Sequence, residues 1–311
     1  MRSGYLARGV AAIAHGNRDR PVHNRIAEAV RVQVVELASG RYAQINDSHL
    51  AELLASREGI HLSRSVLRLV LRQAGLQSPQ TRRAPKHRQR RQRMPRAGML
   101  IQLDTSEHPW FGPQLPRAAL VGAIDDATGK VLAVHFQEHE NTLGYFRLLH
   151  SLVAAHGLPE ACYVDRHAIF LNNGHEGLSI DQQIRGAKDR PSQFAQLLSR
   201  LGVALVYARS PQAKGRIERL WRTFQDRLVA ELRLASISSV EDASAFLPAF
   251  VHHFNQRFQV AAADCELAFA PAPQHLAELF TRRLAATVKN DHTVQRLGLC
   301  LQLTPNPAER S

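Results

Sequence analysis

The sequence predicts an α/β protein in which a mixed five-stranded sheet with flanking helices follows an all-helical region and a basic linker. Three observations support this fold class. After Gly98, short apolar or alternating runs bounded by turn residues alternate with amphipathic helical segments. Residues 25–75, in contrast, show helical periodicity alone. Between the two regions, residues 82–96 contain eight Lys or Arg and no acid.

The length of 311 residues is enough for two or three domains. We predict a helical DNA-binding region over 1–80, a basic arm over 81–97, an α/β core over 98–262 and a C-terminal segment over 263–311. No run approaches the ~20 apolar residues of a membrane span, and the first residues form no apolar leader. We therefore expect a cytoplasmic protein. Its three cysteines are too far apart in sequence to indicate a zinc site or a disulfide framework.

The helical region is predicted to contain three short helices joined by tight turns, which fits a helix-turn-helix unit. The first spans about 25–39, the second opens near Asp47 as its N-cap, and the third opens at Ser63. Arginines recur every four residues on the third helix and form a basic stripe suited to DNA. A small structural bundle with a solvated arginine face is the alternative. The stripe consists of Arg64, Arg68 and Arg72.

The net charge of +13 lies in the first third of the chain. Residues 1–96 contain 19 Lys and Arg against 6 Asp and Glu, whereas residues 97–311 contain 21 of each kind. The block at 82–96 repels itself into an extended, solvated arm. A polyanion such as double-stranded DNA is its natural partner, and a solubilising linker is the alternative. The arm residues predicted to bind DNA are Arg82, Arg83, Lys86, Arg88, Arg90, Arg91 and Arg93.

Within the core, the predicted order is three strands, a helix, a strand, a helix, a strand and a long helix from about Lys214. The stretch "DDATG" at 125–129 is predicted to be the turn of a hairpin. Residues 172–190 are polar and contain glycine, so we interpret them as a surface insertion. In open α/β sheets, ligand chemistry gathers where strand ends and helix starts converge.

Three acids occupy such positions. Asp104 ends the apolar half of the first strand, Asp165 ends the apolar part of the fourth, and Glu218 lies on the last helix. An acid in an apolar strand is costly to bury unless it is paired or binds a cation. Because two carboxylates about 4 Å apart repel by about 4 kcal/mol at an effective dielectric near 20, a site that collects all three requires a divalent cation. Oxygen ligands without cysteine indicate Mg²⁺ or Mn²⁺, and two such ions suit an in-line phosphoryl displacement.

The segment around Glu218 is otherwise basic. Salt bridges within the helix are one interpretation, since Lys214 and Arg222 lie four residues on either side of the acid. The other is that the cations hold a DNA backbone against the metal ions. The cations are Lys214, Arg216, Arg219 and Arg222.

Several other residues compete for a place in the site. Asp125 and Asp126 fit a turn, and His167 near Asp165 is a candidate substrate contact or a structural residue. Neighbouring histidines on a helix cannot face one metal together, so we expect structural or solvent-facing positions for His252 and His253. We interpret the tryptophans as core residues rather than base-stacking platforms. Two further acids that compete as ligands are Asp181 and Asp189 of the polar insertion. The two tryptophans are Trp110 and Trp221.

Five stretches together resemble an insertion-sequence transposase with a retroviral-integrase-type catalytic core. They are "QLDTSEHPWFG", "VDDATGKVLAVHFQEHENT", "YVDRHAIF", "SPQAKGRIERLWRTFQDRLVAELRL" and "FNQRF". The chain is similar to the bacterial ISNCY group over about residues 15–290. The resemblance implies an RNase H-like fold, a DDE triad that falls on Asp104, Asp165 and Glu218, and Mg²⁺-dependent cutting and joining of double-stranded DNA. It also implies a homo-oligomer that acts on DNA and on no small-molecule substrate.

Two departures from the family pattern leave alternatives open. Asp165 and Glu218 are 53 positions apart, which is longer than the retroviral interval, and the insertion at 172–190 accounts for the difference. Family members usually carry another helix-turn-helix upstream and a small β-rich domain downstream. An active recombinase is therefore one interpretation, and a truncated protein that binds element ends or pairs with full-length transposase is another. A repair or RNase H-type nuclease shares the chemistry but leaves the basic arm without a role.

Overall fold

The computed structural model describes residues 26–79, 91–171, 191–208, 214–281, 286–296 and 298–304. The chain forms two compact units, residues 1–86 and 87–311. Several sequence predictions lie outside the described residues. They are the DNA-binding assignments of Arg82, Arg83, Lys86, Arg88 and Arg90, and the polar insertion at 172–190 with Asp181 and Asp189.

The first unit contains three helices within its described residues: α1 (Glu28–Ser39), α2 (Asp47–Arg57) and α3 (Arg64–Gln73). Ser63 caps α3 as predicted, since its hydroxyl accepts a hydrogen bond from the Val66 amide at 3.3 Å. The prediction that Asp47 caps α2 is wrong by one residue. The cap is Asn46, whose side-chain oxygen accepts from two amides of the first turn. The core is formed by Val34, Leu50, Leu53, Leu54, Leu67, Val70 and Leu71.

The second unit is built on a five-stranded sheet, which confirms the predicted α/β class. Its strands are β1 (Ile101–His108), β2 (Ala118–Asp125), β3 (Val131–Gln137), β4 (Ala161–Val164) and β5 (Ala204–Tyr207). Their order is β3-β2-β1-β4-β5. The first three strands pair antiparallel, whereas β4 runs parallel to β1 and β5 parallel to β4. This mixed order is that of the RNase H-like fold.

Helices cover both faces of the sheet. They are α4 (Thr142–His156), α5 (Gln193–Arg200), α6 (Gly215–Leu234), α7 (Val240–Phe258) and the short α8 (Leu276–Leu279). One apolar core lies between the sheet and α4 and α5, and a second lies between the sheet and α6 and α7. The interior strand β2 is buried along its whole length because both faces are covered. No helix in the described parts of the chain is both long and apolar enough to cross a membrane.

The segment that follows the predicted boundary at residue 262 makes contacts with the rest of the second unit. Residues beyond it remain hydrogen-bonded to the core: the Asp264 amide donates to the Pro95 carbonyl at 3.0 Å, and the Ala268 amide to the Ala97 carbonyl at 2.8 Å. Further on, an antiparallel hairpin is formed by β6 (Thr293–Arg296) and β7 (Leu299–Gln302). The core therefore uses its C-terminal extension to fasten the segment that precedes β1.

Candidate active site

The fold brings Asp104 and Asp165 together. In the parallel pair of β1 and β4, Gln102 is level with Tyr163, so two residues further along Asp104 is level with Asp165. Lys214, just before α6, joins the two carboxylates. Its ammonium nitrogen lies 2.6 Å from Asp104 Oδ1 and 3.3 Å from Asp165 Oδ2. Two of the three predicted acids therefore share one cation.

Asp104 is held from two sides by the region around α6. Besides the bond to Lys214, its Oδ2 accepts a hydrogen bond from the indole nitrogen of Trp221 at 2.9 Å. Burial raises the pKa of the Asp104 carboxyl above its ordinary value, and the bonds from Lys214 and Trp221 oppose that rise. The ionised carboxylate at this position therefore needs a positive charge beside it.

Glu218 is exposed in the first turn of α6. It lies four residues after Lys214 and three before Trp221, so the three share one face of the helix. Both of its neighbours on that face contact Asp104. Among the described residues, however, no three Asp, Glu, His or Cys side chains are grouped closely enough to hold a metal ion. The structure thus pairs two of the acids and places the third on the adjoining helix face without completing a trio.

The residues present fit a divalent cation. The position between Asp104 and Asp165 already contains a positive charge, the ammonium of Lys214, and the two aspartates offer oxygen donors. Asp165 is half-exposed, so the pair can be reached from solvent. Carboxylate oxygens are the ligands that Mg²⁺ and Mn²⁺ prefer.

A row of polar residues on β1 fixes the position of α6 over the sheet. Gln102 accepts from the Ile217 amide at 3.3 Å, and Ser106 accepts from the Gln225 side chain at 3.0 Å. With Asp104 and Trp221 between them, alternate residues of β1 contact every fourth residue of α6. The two spacings match, because two strand residues rise about 6.6 Å and four helical residues about 6 Å. The alternation of polar residues in "QLDTS" was the available signal for this contact, and sequence reasoning missed it.

Gly122 provides the space for this arrangement. It pairs with Asp104 across β1 and β2, and a Cβ atom there would lie 2.6 Å from the Trp221 ring. We expect Gly122→Ala to displace the indole from Asp104 and to lower the free energy of unfolding by about 1–3 kcal/mol, the usual cost of overpacking. Urea denaturation followed by tryptophan fluorescence measures this loss.

Gly215 offers a matched control because the same substitution meets no atom within 4 Å. Since Gly215 begins α6, Gly215→Ala is expected to leave stability unchanged or to raise it by at most about 1 kcal/mol. Equal stability of the two variants would show that the contact between Gly122 and Trp221 does not constrain the fold.

The predicted phosphate contacts around Glu218 are only partly on the surface. Lys214 is buried against the two aspartates. Arg216 has a side chain that is 13% exposed and pairs with Asp126 at 2.8 Å. Arg219 and Arg222 are exposed. The prediction that all four cations form an open phosphate-binding surface is therefore wrong for Lys214 and Arg216, whose side chains are largely buried beside carboxylates.

The other arginines predicted to contact DNA also include both exposed residues and residues that are bonded to groups of the fold. On α3, Arg64 and Arg68 are exposed, whereas Arg72 pairs with the buried Asp47 at 2.8 Å. Arg91 and Arg93 belong to the segment that was predicted to be a solvated arm. Their guanidinium groups instead donate hydrogen bonds to Asp126 and Ala127 in the turn after β2, so the C-terminal end of the arm is bound to the core.

Asp125 and Asp126 have structural roles that exclude them as open metal ligands. Asp125 accepts hydrogen bonds from the Gly98 amide at 2.9 Å and from the Thr128 amide at 2.8 Å. It therefore closes the "DDATG" turn, which confirms the predicted hairpin. The Asp126 side chain is fully buried. Neither carboxylate faces the pair formed by Asp104 and Asp165.

The remaining candidates also have structural explanations. The backbone amide of His167 donates to Asp165 Oδ1 at 3.0 Å, so this residue helps to orient the acid. Trp110 is buried and its indole donates to the Ser106 carbonyl at 3.2 Å, which confirms a core position. Trp221 is also buried, but its bond to Asp104 gives it a second role that was not predicted. His252 and His253 are exposed on α7, as expected.

Comparison with known proteins agrees with this architecture. No family model matches the chain. It is 36% identical over 280 residues to "Putative transposase y4bF" of Sinorhizobium fredii, covering 89% of this chain and 59% of that protein. It is 30% identical over 329 aligned positions to the transposase for insertion sequence IS1202 of Streptococcus pneumoniae, covering 95% of this chain and 69% of that protein.

Among solved structures, the chain is similar to one in a simian T-cell lymphotropic virus intasome. The identity is 14%, the TM-score is 0.39, and the alignment covers 82% of this chain and 80% of the other. Because both the identity and the TM-score are low, the fold is assigned from the strand order of this chain. An RNase H-like sheet with paired aspartates defines a class of proteins with integrase-type catalytic cores. Within that class, the chain belongs to the insertion-sequence transposases.

Proposed function

We propose that the chain cleaves DNA strands and transfers them during transposition of an insertion sequence, with Asp104, Asp165 and Glu218 as the metal ligands. The observation that carries this proposal is the shared cation site, in which one ammonium nitrogen lies 2.6 Å from Asp104 and 3.3 Å from Asp165. Membership of the transposase family supports DNA as the substrate. The position of Glu218 beside both contacts of Asp104 supports its role as the third ligand.

Mg²⁺ or Mn²⁺, as two ions, is the proposed cofactor of this site. Bound there, the ions would activate the attacking hydroxyl or water and stabilise the leaving oxygen. The chain itself provides the positioning. Trp221 fixes one oxygen of Asp104, and the His167 amide fixes one oxygen of Asp165. Arg219 and Arg222, exposed on the helix that carries Glu218, would bind the phosphates that flank the cleaved bond.

The first unit would also bind the DNA. Arg64 and Arg68 are exposed on α3, the second helix of the predicted helix-turn-helix, which is the one that enters the major groove in such units. We expect the protein to act on double-stranded DNA as a homo-oligomer, because two element ends must be cut together. Its proposed location is the cytoplasm, in association with the nucleoid.

The proposal is tested by nicking of supercoiled plasmid in Mn²⁺ by the wild-type protein and by Asp165→Asn. The half-exposed Asp165 lies outside the apolar cores, so its substitution should leave the fold intact. We expect nicking by the wild type, none after chelation, and a loss on the order of 10³ in the variant, which corresponds to about 4 kcal/mol of transition-state stabilisation. Salt-sensitive DNA binding should remain in both proteins.

Two outcomes would contradict the proposal. Equal nicking by the wild type and Asp165→Asn would show that the acids are wrongly assigned. Binding without cleavage, on plasmid and on DNA that carries authentic element ends, would identify a DNA-binding protein without catalytic activity.

A further inference from the structure

Asp126 is a fully buried carboxylate that collects arginines from distant parts of the second unit. Its Oδ1 accepts hydrogen bonds from Arg91, from the Gln102 side chain at 2.6 Å and from Arg216 at 2.8 Å. Its Oδ2 accepts from the Met94 amide at 3.0 Å. One side chain thus joins three segments: the residues before β1, strand β1 itself and the start of α6.

Three more hydrogen bonds stabilise this junction. Arg93 donates to the backbone carbonyls of Asp126 at 3.1 Å and Ala127 at 3.0 Å. Arg216 donates with its second terminal nitrogen to the Arg91 carbonyl at 2.7 Å. The guanidinium groups of Arg91 and Arg93 are therefore both hydrogen-bonded to the fold. Each residue taken as a whole is nevertheless exposed to solvent.

The junction has an excess of positive charge. Arg91 and Arg216 donate to the Asp126 carboxylate, and Arg93 donates to the Asp126 backbone carbonyl. Three guanidinium groups therefore contact one buried acidic residue. Cations that are kept close together in this way bind an anion with little further loss of side-chain entropy. Guanidinium groups also match the oxygens of a phosphate in pairs.

The junction is adjacent to the candidate active site along both elements. Gln102 lies two residues before Asp104 on β1. Its side-chain oxygen, Oε1, accepts a hydrogen bond from the Ile217 amide of α6 at 3.3 Å. Arg216 lies between Lys214 and Glu218 at the start of α6. The junction therefore adjoins the first turn of the helix that carries Glu218.

We propose that Asp126, together with the largely buried Arg216, holds the exposed Arg91 and Arg93 as a clamp for the DNA backbone next to the catalytic acids. The clamp binds a phosphate of the strand that leads away from the cleaved bond. Asp126 is a positioning residue in this arrangement, because it acts through the arginines and does not touch the DNA. The inference rests on the proposed function for the position of the DNA, but its test does not require cleavage.

The proposal predicts an effect opposite in sign to simple electrostatics. Removal of a negative charge would ordinarily strengthen binding to a polyanion. We expect Asp126→Asn instead to weaken binding of a fluorescein-labelled DNA duplex about tenfold, because the arginines are no longer held together. Binding is measured with the full chain by fluorescence anisotropy in chelator, over a range of salt concentrations.

Asp125→Asn is the matched control. Asp125 is also buried, and its substitution removes the same charge one residue away. Its carboxylate bonds to Gly98 and Thr128, and within the described part of the chain no arginine is bonded to it. We expect it not to weaken binding when circular dichroism shows both variants folded. Equal effects of the two substitutions, or tighter binding by Asp126→Asn, would overturn the proposal.

Arg91→Lys tests the clamp at its exposed end, since the Arg91 side chain is 36% exposed. This substitution retains the charge but loses the planar fork, so we expect weaker binding with an unchanged melting temperature. Binding equal to that of the wild type would mean that net charge alone attracts the DNA, and would overturn the clamp. Because no cleavage is expected in chelator, this binding measurement does not depend on the catalytic activity that the plasmid assay tests.

Discussion

Glu218→Gln is expected to abolish DNA cleavage while DNA binding and stability remain unchanged. Glu218 is exposed, so its loss leaves no buried group unpaired. It lies on the same face of α6 as Lys214 and Trp221, both of which contact Asp104. Loss of one carboxylate ligand would remove several kcal/mol of transition-state stabilisation, which corresponds to a rate loss on the order of 10³. Single-turnover cleavage of end-labelled DNA in Mn²⁺ measures the change.

Glu241→Gln provides the control. Glu241 is also an exposed glutamate in the first turn of a helix, α7, so both substitutions remove the same favourable interaction with the helix dipole. Only Glu218→Gln should change the cleavage rate. A similar rate for the two variants would show that the third ligand lies elsewhere in the chain.

Lys214→Met is expected to destabilise the protein in the absence of divalent metal and to increase its response to that metal. The Lys214 side chain is only 6% exposed and its ammonium is shared by Asp104 and Asp165. Removing one partner of a buried ion pair costs about 3–5 kcal/mol, and the half-exposed Asp165 places the effect near 3 kcal/mol. The corresponding decrease in melting temperature is roughly 6–12 °C for a unit of this size.

Added Mn²⁺ should raise the melting temperature of Lys214→Met more than that of the wild type, because the ion no longer competes with an ammonium group for the same carboxylates. Lys130→Met, in the turn between β2 and β3, is the control and should respond to Mn²⁺ as the wild type does. If Mn²⁺ stabilises all three proteins equally, the ammonium of Lys214 does not occupy the position of the metal.

The class of fold and the identity of the paired acids could be predicted from the sequence. The reason is that strand alternation and helical periodicity are local properties of the chain. Ser63 caps the start of α3 because its hydroxyl accepts a hydrogen bond from an amide three residues later. Asp125 likewise closes a turn through an amide three residues later. Asp104 and Asp165 were singled out because each ends an apolar run, where an acid has no local partner.

Only the tertiary structure decided which charges meet. The bonds from Arg72 to Asp47 and from Arg91 to Asp126 join residues 25 and 35 positions apart. Those from Arg216 to Asp126 and from Lys214 to Asp104 span 90 and 110 positions. A basic stretch in the sequence indicates cations but not their partners. Partners are selected by burial, because a charge removed from water must lie beside an opposite charge or a hydrogen-bond acceptor. Arg72 and Arg216, which the sequence assigned to DNA, are for this reason committed to carboxylates within the fold.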